Sequence, residues 1–167
     1  LLKLAHTYKD KLQAKYSEVV FQEKYKFYNC SSYWDYEVKI ADDSWNNIQF
    51  VSVDEKDNIR GYLVAHISRA SDKVSGLGII NFYDTNIIFS KDLYQFLKDL
   101  FEKFNLRKVE FTVVVGNPIE KMYDKYIEKY GGRIIGVSKE DSKLQDGKYY
   151  DLKYYEIFKD EYFKHKS

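Results

Sequence analysis

Cysteine, proline and methionine each occur once in this chain. A lone thiol, Cys30, excludes an internal disulfide and fits a reducing compartment, so a cytoplasmic protein is expected. No apolar run approaches the ~18 residues that would span a bilayer, which argues against a membrane partner. Lys3, Lys9, Asp10 and Lys11 interrupt the first segment, unlike the apolar centre of a signal peptide. The chain begins at Leu1 rather than Met, so a start further upstream is expected. An excess of one charge is missing too: 27 basic against 26 acidic residues leave +1, with no global field for nucleic acid. Also absent are a Gly-x-Ser-x-Gly elbow, a P-loop and a Rossmann fingerprint. His6, His66 and His165 show no metal-ligand spacing with one another or with Cys30, so no metal is expected. Hydrolase, kinase and dehydrogenase chemistry thus lack a handle in this sequence.

What the chain has in quantity is aromatic: 17 Tyr and 11 Phe, spread along its length and mostly on apolar stripes, which favours core filling over base stacking. Its 167 residues fit a single domain, 1–167, able to bury roughly two-thirds of its unfolded surface.

Residues 109–136 set the plan. Val109, Phe111, Val113, Val114 and Val115 suit a buried strand, which Gly116 ends. Asn117 then reads as an N-cap and Pro118 as the first helical residue. Ile119, Met122, Tyr123, Tyr126, Ile127 and Tyr130 recur at three- and four-residue spacing, with Glu and Lys opposite. Gly131 and Gly132 stop the helix, and residues 133–137 read as the next strand. Strand, helix and strand make a βαβ-type unit with at least one parallel pair.

That series, followed by the hairpin Asp146-Gly147-Lys148-Tyr149-Tyr150-Asp151, resembles the C-terminal half of the GCN5-related N-acetyltransferase superfamily. The resemblance covers roughly the last hundred residues, and this chain has about one helical turn more between Asn117 and the helix-ending glycine than the commonest pattern. It implies an α+β fold with a mixed, mostly antiparallel twisted sheet flanked by helices. It further implies transfer of an acetyl group from acetyl-CoA, as co-substrate, to a primary amine of a small molecule or a protein.

Earlier in the chain, residues 7–28 read as one bent helix or two, 29–34 as a loop, and 36–40 as a short strand. Residues 48–53, 59–68 and 75–83 read as an antiparallel meander. A helix from Lys91 to about Phe104 follows, with Ser90 as N-cap and Leu93, Phe96, Leu97, Leu100, Phe101 and Phe104 as its buried face. In the superfamily the turn before this helix binds the pyrophosphate of coenzyme A through a glycine-rich loop. Those glycines are absent here, so the resemblance leaves backbone donors at Ile88, Phe89, Ser90 and Lys91 for that task. It assigns the pantetheine arm to the backbone of Asn81, Phe82 and Tyr83, with Asn117 alongside. For the acid that protonates the thiolate it offers Tyr123 and Tyr126. Glu110, Asp84 and His66 are the alternatives for the base, with a water relay as a further route. Trp34, Asp35, Tyr36, Glu37 and Trp45 are candidates for acceptor contact. Dimerisation through residues 148–158 is a further expectation. The competing reading is a non-catalytic module of the same fold that has lost acetyl-CoA binding.

Overall fold

The computed structural model describes residues 1–28 and 36–166; Cys30, Trp34 and Asp35, with the loop expected at 29–34, lie outside them. A seven-stranded sheet in the order β1-β2-β3-β4-β5-β7-β6 carries the architecture. Its strands are β1 (Leu2–Leu4), β2 (Asn47–Val53), β3 (Ile59–Ser68), β4 (Lys73–Asn81), β5 (Lys108–Val114), β6 (Arg133–Lys143) and β7 (Tyr149–Phe158). The helices are α1 (Lys9–Ser17), α2 (Ile87–Glu102), α3 (Glu120–Lys129) and α4 (Lys159–His165), with 3-10 turns at Ala5–Tyr8, Glu23–Tyr28 and Arg69–Ser71.

Alternation along the strands divides the core between the two faces of the sheet. Leu63, Ala65, Ile67, Val109, Phe111 and Val113 point to one face, where Phe96, Leu97, Leu100 and Phe101 of α2 and Tyr123 and Ile127 of α3 cover them. Tyr62, Val64, Val51, Val53 and Ile80 point to the other, beneath Leu12 and Tyr16 of α1 and Tyr25 of the 3-10 turn. Each fully buried side chain of this size contributes about 1.5–3 kcal/mol.

Several expectations are corrected. The expected helix over 7–28 is broken into α1 and two 3-10 turns, and the first residues pair as β1 with β2. Residues 36–40 form no strand; Gln49 instead bonds the Ala41 N–H and C=O with its side-chain amide, at 2.9 Å each, imitating a strand partner. The parallel pair joins β4 to β5 across α2; β6 runs parallel to β5, but β7 lies between them. Strand β7 is paired with β6 on one side and, from Leu152 to Phe158, with β5 on the other, and β6 forms the edge of the sheet. Helix α3 ends at Lys129, and Gly131 just past it has a φ of 71°, the left-handed geometry expected of a helix-ending glycine.

Candidate active site

The strands β4 and β5 pair at Lys73 with Lys108 and Val74 with Val109, and then part. Hydrogen-bonded pairs alternate along an antiparallel ladder, and the Phe82 N–H bonds the Arg60 carbonyl at 3.2 Å. By that alternation Ile80 and Gly78 also face β3, whereas the backbone groups of Leu77, Ile79 and Asn81 face β5 across the gap. On β5 the Val115 N–H bonds the Asp151 carbonyl, so the backbone of Thr112 turns toward β4. The result is a cleft of about 120 Å³ whose lining includes Leu77, Ile79, Thr112, Asn117, Tyr28 and Tyr123.

Of the three residues expected along the pantetheine arm, Asn81 alone has its backbone groups on the β5 side of β4. Phe82 is a correction: it is buried, its N–H is held by Arg60, and its carbonyl accepts the Tyr25 hydroxyl at 3.0 Å. Tyr83 is another, since its N–H donates to Asn81 Oδ1 at 3.3 Å and its ring lies under the Arg60 guanidinium. Leu77 and Ile79, which sequence reasoning missed, supply the open amides. They act through the backbone, so their side chains carried no signal.

The turn before α2 also differs from expectation. Asn86, not Ser90, is the cap: its Oδ1 accepts the Phe89 N–H at 3.2 Å, while its Nδ2 donates to the Arg60 carbonyl and to Asn81 Oδ1. The Ser90 N–H already bonds the Asn86 carbonyl at 2.9 Å, and Lys91 lies within the helix. Phe89, Ser90 and Lys91 therefore drop out as anion donors. Ile88, with Ile87 before it, retains a free N–H at the positive end of α2.

The two helix tyrosines separate. Tyr123 lines the cleft, packed edge-on against Phe111 at 4.7 Å; burial holds its phenol well above the ordinary range. Tyr126 faces away into a groove of about 500 Å³ lined by Tyr94, Tyr130 and Tyr162, and its buried hydroxyl has no partner among the described residues. Tyr126 is thus corrected as an acid for the cleft. Asn117 lines the cleft, its Oδ1 accepting the Ile119 N–H at 3.1 Å. Glu110 is corrected as a base: Lys73 Nζ lies 2.5 Å and Lys108 Nζ 2.6 Å from its oxygens. Burial pushes its carboxyl pKa up, but those two ammonium groups outweigh it, and the net direction is down. A carboxylate so held is a poor proton acceptor.

Comparison with known proteins adds the fold. No family model matches the chain, and no curated relative matches it. Among solved structures, the spermidine N-acetyltransferase of Vibrio cholerae in complex with CoA and spermine superposes with a TM-score of 0.73 at 18% identity, covering 98% of this chain and 97% of that one. A point variant of the same enzyme gives 0.72 at 20% identity over 100% and 99% of the two chains. Its complex with manganese ions gives 0.71 at 20% over 100% and 96%. This chain has the GCN5-related N-acetyltransferase fold.

Within that acetyltransferase fold, a second pocket of about 300 Å³ lies on the α1 side of the sheet and shares Tyr28, Gly78 and Ile79 with the cleft. Tyr16, Tyr62, Glu37, Lys39 and His66 also line it. Of the described candidates for acceptor contact, Glu37 is brought here. Tyr36 stands outside and Trp45 sits in a surface turn against the Arg69 guanidinium. Asp84 lies exposed in the turn before α2, 3.3 Å from Lys24 Nζ. Among the described residues, no group of three His, Cys, Asp or Glu side chains could hold a metal ion. No described helix is long and apolar enough to cross a membrane.

Proposed function

We propose that this protein transfers an acetyl group from acetyl-CoA to a primary amine by direct attack of the amine on the thioester. The observation that carries this reading is the parting of β4 from β5 after Val74 and Val109, which leaves the Leu77 and Ile79 backbone groups facing an open cleft. A pantetheine arm carries two amides of its own and satisfies such a row as an added strand would. The pyrophosphate falls to the Ile87 and Ile88 amides at the head of α2, with Arg60 over Tyr83 and Lys24 beside Asp84 supplying positive charge at the same turn. Tyr123, which lines the cleft beside the arm, donates to the thiolate as the C–S bond breaks.

The acceptor enters from the pocket that joins the cleft at Gly78 and Ile79. The rings of Tyr16, Tyr28 and Tyr62 and the carboxylate of Glu37 suit a protonated amine through cation–π and ionic attraction. Spermidine and spermine, named for the Vibrio cholerae enzyme, belong to that class.

Calorimetric titration with acetyl-CoA, followed by release of free CoA with a panel of primary amines, tests the proposal. One observation favours the non-catalytic reading: the Phe89 and Ser90 amides are spent within the cap and first turn, in place of a glycine cradle. Saturating acetyl-CoA raises the melting temperature under the first reading and leaves it unmoved under the second.

A further inference from the structure

We infer that His66 is the general base that deprotonates the acceptor amine, held in the required tautomer by Asn47; this rests on the acetyltransferase reading above. Asn47 Nδ2 donates to the Asp43 carbonyl at 3.2 Å, which orients the side chain so that Oδ1 is the atom 2.8 Å from His66 Nδ1. An amide oxygen accepts and cannot donate, so the hydrogen between them belongs to Nδ1 and the ring's lone pair is on Nε2. The turn that carries Asn47 is itself tied down. Asp43 Oδ1 accepts the Trp45 and Asn46 N–H groups, Asp43 Oδ2 accepts Asn46 Nδ2 at 2.6 Å, and the Ile67 N–H bonds the Asn46 carbonyl.

The lone pair also faces the right way. Asn47 lies on β2, so the Nδ1 edge of the ring turns toward that strand. The opposite edge turns toward β4: a Cβ placed on Gly76 would stand 3.8 Å from His66 Cδ2, the carbon bonded to Nε2. Gly76 lies two residues beyond Val74, the last residue of β4 paired with β5, and one before Leu77, the first β4 residue that lines the cleft, so the imidazole edge stands one residue short of it. From there to Asn81 is five residues, about 17 Å of strand, a span suited to an extended pantetheine arm anchored at α2. Gly76 places no side chain beside His66, and the space a Cβ on Gly78 would take is filled by Val64, which lines the same pocket.

The charged and titratable groups around His66 have identifiable places. Glu37, Lys39 and the phenols of Tyr16, Tyr28 and Tyr62 share its pocket. Asp43 is bonded as described, and the Arg69 guanidinium is bonded to the Trp45 carbonyl. His66 is exposed, so a proton received at Nε2 passes to solvent.

The protons balance. The ammonium gives one to His66 Nε2, the freed amine forms the C–N bond, and the C–S bond breaks toward the thiolate. The thiolate takes a proton from Tyr123, which is restored by the second proton leaving the new amide nitrogen; His66 releases the first to water.

Steady-state CoA release by the wild type, His66→Gln, His66→Ala and Asn47→Ala, each across pH, tests the assignment. It expects kcat/KM to fall about 100-fold or more in both His66 variants. It also expects the acid-side limb of the pH profile to disappear, unchanged calorimetric affinity for acetyl-CoA, and partial rescue of His66→Ala by added imidazole. Asn47→Ala should lose about 10-fold, because the tautomer is no longer held. A His66→Gln enzyme within threefold of the wild type, with its acid limb intact, overturns the assignment and leaves the acetyltransferase reading standing. A wild type that binds acetyl-CoA and releases no CoA with any amine overturns both.

Discussion

The ammonium of Lys73 on β4 and the carboxylate of Glu110 on β5 meet at 2.5 Å beside the last residues that pair the two strands. Lys108 reaches both Glu110 and Glu156, and Arg133 completes the chain, so one row of ion pairs clasps β4, β5, β7 and β6 where the cleft closes. Glu110 therefore holds the sheet together beneath the chemistry. Replacing it with Gln should lower stability by about 1–3 kcal/mol, since the row is only partly exposed. CoA release below the melting temperature should stay within about threefold. Urea unfolding and steady-state assays on the same preparation check both.

The same clasp predicts how stability varies with pH. Burial raises the Glu110 and Glu156 carboxyls, but hydrogen bonds from Lys108, Lys73 and Arg133 outweigh it and leave both below the ordinary range. Asp146 is held at about 2, foremost by the Tyr150 hydroxyl and then by the Lys148 amide and Lys26. The unfolded chain binds these protons more tightly than the folded one. The stabilisation is therefore complete above the ordinary carboxyl pKa of about 4 and is lost as pH falls through the folded values. Urea midpoints should be level from about pH 7 to 5 and fall steadily between about pH 4.5 and 2; Asp146→Asn should shorten the lower end of that fall.

Tyr123 and Tyr126 give opposite results on losing a hydroxyl. Tyr123→Phe should cut kcat about 10–100-fold with little change in stability, since its ring remains packed on Phe111. The Tyr126 hydroxyl is buried with no partner among the described residues, so Tyr126→Phe relieves a desolvation cost and should stabilise by about 1 kcal/mol. For a chain of this length that is a rise of about 2–4 °C in Tm, with kcat unchanged. Calorimetric melts and CoA-release assays of the two variants separate their roles.

Much of this was legible in the sequence where a pattern was long and local. The apolar period of α2 and the Gly131 stop after α3 stand where residue type put them, whereas α3 itself begins at Glu120, two residues past Pro118, with Asn117 Oδ1 bonding the Ile119 N–H in the turn before it. Helix α2 began early because Asn86 caps it and Ile87, Ile88 and Phe89, though poor helix formers by themselves, lie on its first turn with Phe89 packed into the core. Strand β1, three residues long, forms through β2 and has no pattern of its own. At the site, Glu110 alternates with Val109 and Phe111 on β5, yet its ion partner Lys73 and its cross-strand neighbour Glu156 are distant in sequence. The two tyrosines share one stripe. Three residues at ~100° each leave them about 60° apart, enough to send one ring to the cleft and the other to a groove. The Asn47–His66 bond crosses two strands, so nothing in either neighbourhood announced it.

The central claim is that the acetyl donor lies along β4 in the cleft, bonded to the backbone. Amide hydrogen exchange, followed residue by residue with and without saturating acetyl-CoA, tests it most directly. The Leu77 and Ile79 N–H groups, which face β5 with no strand opposite, should exchange much more slowly when the donor is present, while Gly78 and Ile80, already paired with β3, should change little. Unchanged exchange at Leu77 and Ile79 under saturating acetyl-CoA would contradict the account.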